Sequence, residues 1–241
     1  MEAVPGGHCS GRRFIHSSPA NPPYGLTTVL AHSSFHLNAD RVSAKDEGGA
    51  VRMNETNLGD LVADGLLSIG KEMTDGKAVI ALFPAYRMRS SLEPGDINKG
   101  DICSVFATSI PVYEKQMNAQ TLFEWISDSI KHAGIREYKY FRQINGMQVE
   151  YSSGEKENTI YRLTVGDTVI YENDAFFVDD DWSVDCVYGL TDQTNIENTD
   201  PGKMLIPNNK ELIERFCQYL EKEEETIFPD IIAPDERITP H

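Results

Sequence analysis

Apolar residues follow two rhythms along the chain, and the switch between them outlines its organisation. Leu58, Leu61, Val62, Gly65, Leu66 and Ile69 recur at helical spacing, which predicts a core-facing helix with Asn57 as its N-cap and Asp60 in its first turn. Leu122, Trp125, Ile126, Ser129 and Ile130 repeat the stripe, with Gly134 as a natural stop. Leu212, Phe216, Tyr219 and Leu220 form the buried edge of a third helix over 211–223. Lys77 to Phe83 is a short continuous apolar run closed by Pro84, the pattern of a buried strand. Leu26 to His36 and Asp101 to Val112 also read as strands, and Leu92 to Asp96 as a turn. Beyond Glu137 the rhythm becomes that of strands, at 148–151, 160–165, 168–171 and 182–188, separated by Gly, Asn or Asp. Residues 1–25 are rich in Pro, Gly and Ser without a period, so they are expected to be a flexible tail or linker ahead of one α+β domain over 26–241.

Composition narrows the function classes. The chain has 241 residues, 40% of them apolar, which is enough for a proper core. With 38 acidic against 22 basic residues its formal charge is −16, which repels phosphate backbones and anionic lipid, so nucleic acid and membrane surfaces are not expected partners. No stretch approaches the ~18 apolar residues of a spanning helix. The basic residues near the start precede no apolar run, so they do not read as a secretory signal, and the compartment is left open. Cys9, Cys103, Cys186 and Cys217 are widely spaced and form no C-x-x-C, so neither zinc nor a disulfide framework is indicated; Cys103 and Cys186 are expected to be buried thiols. The acidic runs Asp179–Asp181 and Glu223–Glu225 read as solvated surface, with no metal assigned to them.

Six landmarks in order carry a resemblance. They are Leu37 to Arg41; Val51 to Asp64, which contains Glu55-Thr-Asn-Leu-Gly59; Ser90 to Asp101; Ser104 to Met117; Ile144 to Tyr151; and Ile227 to Ile238. This set is similar to the C-terminal half of the 5′-nucleotidases, where an E-T-N-L-G-N turn leads into a helix, a strand presents N-G-G-x-I-R, and a G-D-I-T-x-G-D turn follows. The resemblance implies an α+β fold with a mixed sheet packed against helices near 58–71, 120–132 and 210–224. It implies a place in nucleotide catabolism, within a hydrolase family that is often secreted or surface-associated. In that family the C-terminal domain binds the nucleoside part of the substrate. The divalent metal ions and the catalytic His–Asp pair belong to a separate metallophosphoesterase domain, marked by D-x-H and G-N-H-E.

Neither signature occurs here, so no catalytic residue, metal ligand or cofactor is expected in this chain. Two-metal hydrolysis needs a cluster of His, Asp and Asn ligands, and the six histidines lie mostly near the N-terminus. Position by position, the resemblance makes Arg52 and Arg89 substrate-binding arginines, with Tyr86 or Tyr188 at the wall of their cleft. Pro84-Ala-Tyr-Arg-Met88 replaces N-G-G-x-I, Asp60 stands where Asn is usual, and Gly65 where Ala is usual. Of the two rings that sandwich the base, the first is replaced by Thr108, and the second falls near Val187-Tyr-Gly189. The plainer reading of Arg52 and Arg89 is a salt bridge to one of the many carboxylates, of Arg87 solvated surface, and of Glu55 and Asn57 satisfaction of a turn's backbone. His36-Leu-Asn-Ala-Asp40 matches the short H-x-x-x-D acyltransferase signature but lacks its following Gly, and reads as coincidence. Two functions stay open: a nucleotide-recognition domain that is inactive without a metallophosphoesterase partner, and a protein-interaction module that keeps the fold.

Overall fold

The computed structural model describes residues 25–41, 50–190, 200–227 and 233–241, and side chains through residue 222 of the last helix. The expected tail therefore lies outside the described residues, apart from Gly25, as do Cys9 and the Glu223–Glu225 side chains. Among the described residues, two five-stranded sheets and a two-stranded ribbon combine with four α-helices in an α+β arrangement. The first sheet has the order β11 (Lys203–Ile206), β4 (Val112–Asn118), β10 (Ser183–Gly189), β2 (Ile80–Pro84), β5 (Arg142–Asn145). Only the β10–β2 pair in it is parallel. The second has the order β12 (Ile238–Pro240), β6 (Met147–Ser152), β7 (Thr159–Val165), β8 (Thr168–Glu172), β9 (Ala175–Phe176), with β12 parallel to β6. The ribbon joins β1 (Val29–Ser33) to β3 (Gly95–Asn98).

Helix α1 (Asn57–Met73) buries its whole predicted stripe, and it packs on β2, β5 and β10. Its N-cap is Thr56, not Asn57: Thr56 Oγ1 accepts the Gly59 N–H at 3.1 Å. Asn57 is drawn off by other groups. Its Oδ1 accepts the N–H of Asn38 and its Nδ2 donates to the His36 carbonyl, so the side chain ties a distant loop to the helix start. At the far end Thr74 Oγ1 donates to the Gly70 carbonyl and the chain turns through Asp75 and Gly76 at positive φ. Gly65 admits α4 (Asn209–Ile227): a Cβ there would come within 2.3 Å of the Phe216 ring. Phe216, Phe106 and Phe83 then form an edge-on aromatic chain through the core, with centroids 5.0 and 5.6 Å apart.

The strand expected over Asp101 to Val112 is instead helix α2 (Lys99–Val105) followed by a loop. A capping box decides this: Asn98 Oδ1 accepts the N–H groups of Gly100 and Asp101, while Asp101 Oδ2 accepts the Asn98 N–H at 2.8 Å. Helix α3 (Ala119–Ile130), capped by Asn118 Oδ1 on the Thr121 N–H, packs on β4 and β7. Cys186 is buried in β10 as expected, but Cys103 is a half-buried residue of α2; Cys217 is buried in α4, where burial pushes its thiol up to about 12. Such thiols stay protonated and inert.

Candidate functional site

Residues 50–56, ahead of α1, are held from below by one buried side chain. Gln143 of β5, with no exposed surface, donates from Nε2 to the carbonyls of Val51 (3.1 Å) and Asn54 (2.9 Å). Its Oε1 faces the Thr56 N–H at 3.4 Å. The amide lies where a Cβ on residue 59 would have to be, 2.3 Å from it, which is why the turn carries Gly59. The carbonyl of Arg52 accepts the Tyr138 N–H at 2.9 Å and that of Met53 the Gly134 N–H at 2.8 Å. Arg52 thus projects from a loop anchored on both sides.

The second wall follows β2. Pro84 ends the strand, Ala85–Arg87 makes one 3-10 turn, and Met88 is buried, which leaves Arg89 exposed. Ser91 bridges to the loop before α1: its Oγ donates to Asp40 Oδ1 and accepts the Ala39 N–H, each at 2.8 Å. Between this segment and the loop at 39–41 lies an open cleft of about 600 Å³ lined by Ala39, Asp40, Arg41, Arg89, Ser90, Ser91 and Glu93.

Arg89 therefore lines a solvent-open cleft. Arg52 is not among its lining residues; it is half-buried, donates from Nη2 to the Tyr86 carbonyl at 3.4 Å, and leaves its buried Nε without a partner. Burial and then the positive charge of Arg41 lower its pKa, with Arg89 adding to the effect and Glu137 opposing it. Arg41, Arg52 and Arg89 form one electrostatic group. Arg41 closed a sequence landmark without being singled out as a site residue; the signal was its place at the end of the Leu37 to Arg41 segment.

Tyr86 is half-buried and Arg87 lies over its ring at 4.7 Å, so that face is covered by a cation. Tyr188 is elsewhere. It is a core residue of β10 with no exposed surface, packed against Trp125 and Tyr113, and its hydroxyl donates to the Pro201 carbonyl at 2.7 Å. The expectation that it walls the cleft is corrected: its position alternates inward on a strand buried between β2 and β4. Thr108 is half-buried and its Oγ1 has no partner among the described residues. His36 faces Glu93 at 3.4 Å while Asp40 holds Ser91, so the H-x-x-x-D residues do not act on each other.

Behind the turn lies an ionic cluster. Glu55 accepts the N–H groups of Arg237 (2.9 Å) and Ile238 (2.7 Å), so it serves backbone as expected, but that of the last strand and not of its own turn. Asp60 accepts the Asp235 N–H at 3.0 Å. Arg237 reaches Asp64 at 2.6 Å and donates to the Ile144 carbonyl at 2.9 Å. Burial first, and then the Glu55 carboxylate, push the Asp60 carboxyl up to about 9. Among the described residues no group of three or more His, Cys, Asp or Glu side chains is placed to hold a metal ion. Nor, among them, is any helix long and apolar enough to cross a membrane.

The model of the 5′-nucleotidase C-terminal domain matches residues 36–179, from the loop before the cleft to just past the last strand of the second sheet's hairpins. Solved structures share the fold. The 5′-nucleotidase precursor from Thermus thermophilus superposes with a TM-score of 0.66 at 18% identity, over 89% of this chain and 39% of that one. The sulfate thiohydrolase SoxB of the same species gives 0.57 at 12% identity, over 89% and 35%. The NAD nucleotidase of Haemophilus influenzae gives 0.55 at 11%, over 90% and 39%. This chain thus spans about two fifths of the length of those proteins. No curated protein matches it. A match over more than half of the sequence, on the fold those structures share, places the chain in the family of 5′-nucleotidase C-terminal domains.

Proposed function

We propose that this chain is the nucleotide-recognition unit of a 5′-nucleotidase-type hydrolase, and that it is not catalytic alone. The observation that carries the reading is the grouping of Arg41 and Arg89 on one open cleft, with Arg52 in electrostatic reach of both, in a chain of formal charge −16. Guanidinium forks match phosphate oxygens, and a diffuse acidic field is screened beyond ~8–10 Å at ordinary salt; on the cleft itself Arg41 and Arg89 stand against Asp40 and Glu93, and Arg52 beside it tips the local balance to positive. The reading takes residues 26–241 as one domain and assigns the metal-dependent step to a metallophosphoesterase unit outside this sequence. That rests on the missing D-x-H and G-N-H-E signatures.

Thermal-shift titration with AMP, UMP and a UDP-sugar tests recognition. Ligand at 100-fold over its Kd stabilises the fold by ~2.7 kcal/mol, and Arg89→Ala, at an exposed position, should abolish that shift while leaving the unliganded Tm in place. Incubation with the same nucleotides plus Mn²⁺, Zn²⁺ or Co²⁺ should release no phosphate; turnover abolished by a chelator would overturn the non-catalytic half of the reading. The second reading, a protein-interaction module, draws on Tyr188, whose ring is committed to the core and stacks on nothing in the cleft. A flat response to every nucleotide would favour it.

A further inference from the structure

The second sheet ends on β9, delivered by a two-residue turn in which Asn173 (φ 49°) and Asp174 (φ 64°) both take the left-handed conformation. Such turns follow the twist of a hairpin and present its outer strand rigidly. The register pairs Tyr171 with Phe176 and Glu172 with Ala175, and the Phe177 N–H donates to the Ile170 carbonyl at 3.0 Å. Phe176 therefore belongs to a non-hydrogen-bonded pair, and its own N–H and C=O point away from β8, where a further strand would bond them.

The side chains at this edge are unusual for one meant to stay bare. Phe176 is 41% exposed, its ring edge-on to Tyr171 at 5.2 Å and Phe123 at 5.6 Å; Phe177, on the opposite face, is 61% exposed. Asp174, Asp179, Asp180 and Asp181, each within four residues of one of these rings in sequence, are all exposed. Acidic residues alone would guard an edge against pairing. Two solvent-facing phenyl rings add apolar surface that guarding does not require, and this combination fits an edge that receives a segment of opposite charge.

We propose that the β9 edge docks an extended peptide segment of another protein in which lysine or arginine alternates with aliphatic residues. The aliphatic positions, all on one face of such a strand, would lie along Phe177; the basic ones would point to the other face, toward Phe176 and the Asp174 carboxylate that Tyr171 bonds, with Asp179–Asp181 adding a field of the right sign, and the backbone would bond Phe176, the mode of strand addition. A second copy of this chain is the wrong occupant: edge-to-edge pairing would gather the aspartates of both copies at one seam, where like charges repel. The site is independent of the arginine cleft, so it stands or falls apart from the proposed function.

The probe is a fluorescein-labelled heptapeptide alternating lysine with valine, titrated with the full chain by anisotropy, beside a glutamate–valine peptide and a lysine–glycine peptide. Saturable binding of the first alone is expected, about tenfold weaker in Phe177→Ser and in the triple variant D179N/D180N/D181N. Phe177 is a surface residue, so its replacement leaves the fold standing. Slower amide hydrogen exchange at Phe176 in the bound state marks strand addition. Absence of binding, equal binding of lysine–glycine, or an affinity untouched by Phe177→Ser would overturn the proposal, as would a concentration-dependent dimer that Phe177→Ser abolishes.

Discussion

Glu55 Oε2 accepts the N–H of Ile238 at 2.7 Å, across 183 positions of sequence. One carboxylate ahead of α1 thus starts the last strand of the second sheet. Because Oε1 takes the Arg237 N–H as well, Glu55→Ala would leave one buried and one half-buried donor without acceptors. It is expected to lower unfolding free energy by about 2–4 kcal/mol, read from urea midpoints. Glu55→Gln keeps one acceptor oxygen and should fall between. A loss below about 0.5 kcal/mol would show that water replaces the carboxylate at no cost.

Asp60 supplies a pH dependence. Its folded pKa, about 9 against the usual 3.8, means that between those values the native carboxyl holds a proton which the unfolded chain has released. Its contribution to stability is therefore full below pH 3.8 and is lost progressively as pH rises toward 9. Asparagine, the usual family residue there, keeps an oxygen for the Asp235 N–H and carries its own donors. Asp60→Asn should raise Tm at pH 8 by roughly 2–4 °C per kcal/mol regained, with the gain shrinking toward pH 4. A gain that is constant with pH would assign it to packing instead.

Tyr188→Phe separates core from cleft. Removing the hydroxyl leaves the Pro201 carbonyl unpaired, at about 1 kcal/mol, while any nucleotide-induced thermal shift should stay unchanged. A variant of normal stability that no longer responds to nucleotide would put Tyr188 back in the site.

Much of the frame was legible because burial imposes a period. The α1 stripe, the α3 stripe and four of the later strands were read from spacing alone. The cap of α1 was misplaced by one residue because Asn57 is claimed by His36 and Asn38, which no local pattern reveals. The span of helix α2 reads as a strand because Ile102 and Val105 suit either state; the Asn98–Asp101 box is what decides for a helix. Strands β5, β9, β11 and β12 have four residues or fewer, too short to show a period. The motif position of Arg89 coincides with an open cleft, whereas the burial of Tyr188 follows only from β10 lying between β2 and β4.

Gln143 bonds Val51, Asn54 and Thr56 across 92, 89 and 87 positions. The body of α1 can wind on local contacts within a microsecond or so, but its entrance closes only when β5 arrives, after a long loop has given up its freedom. Arg52 rides on that entrance. The placing of Arg52 beside Arg41 and Arg89 is thus among the last features a folding chain acquires, and the helices can wind before the three guanidinium groups come together.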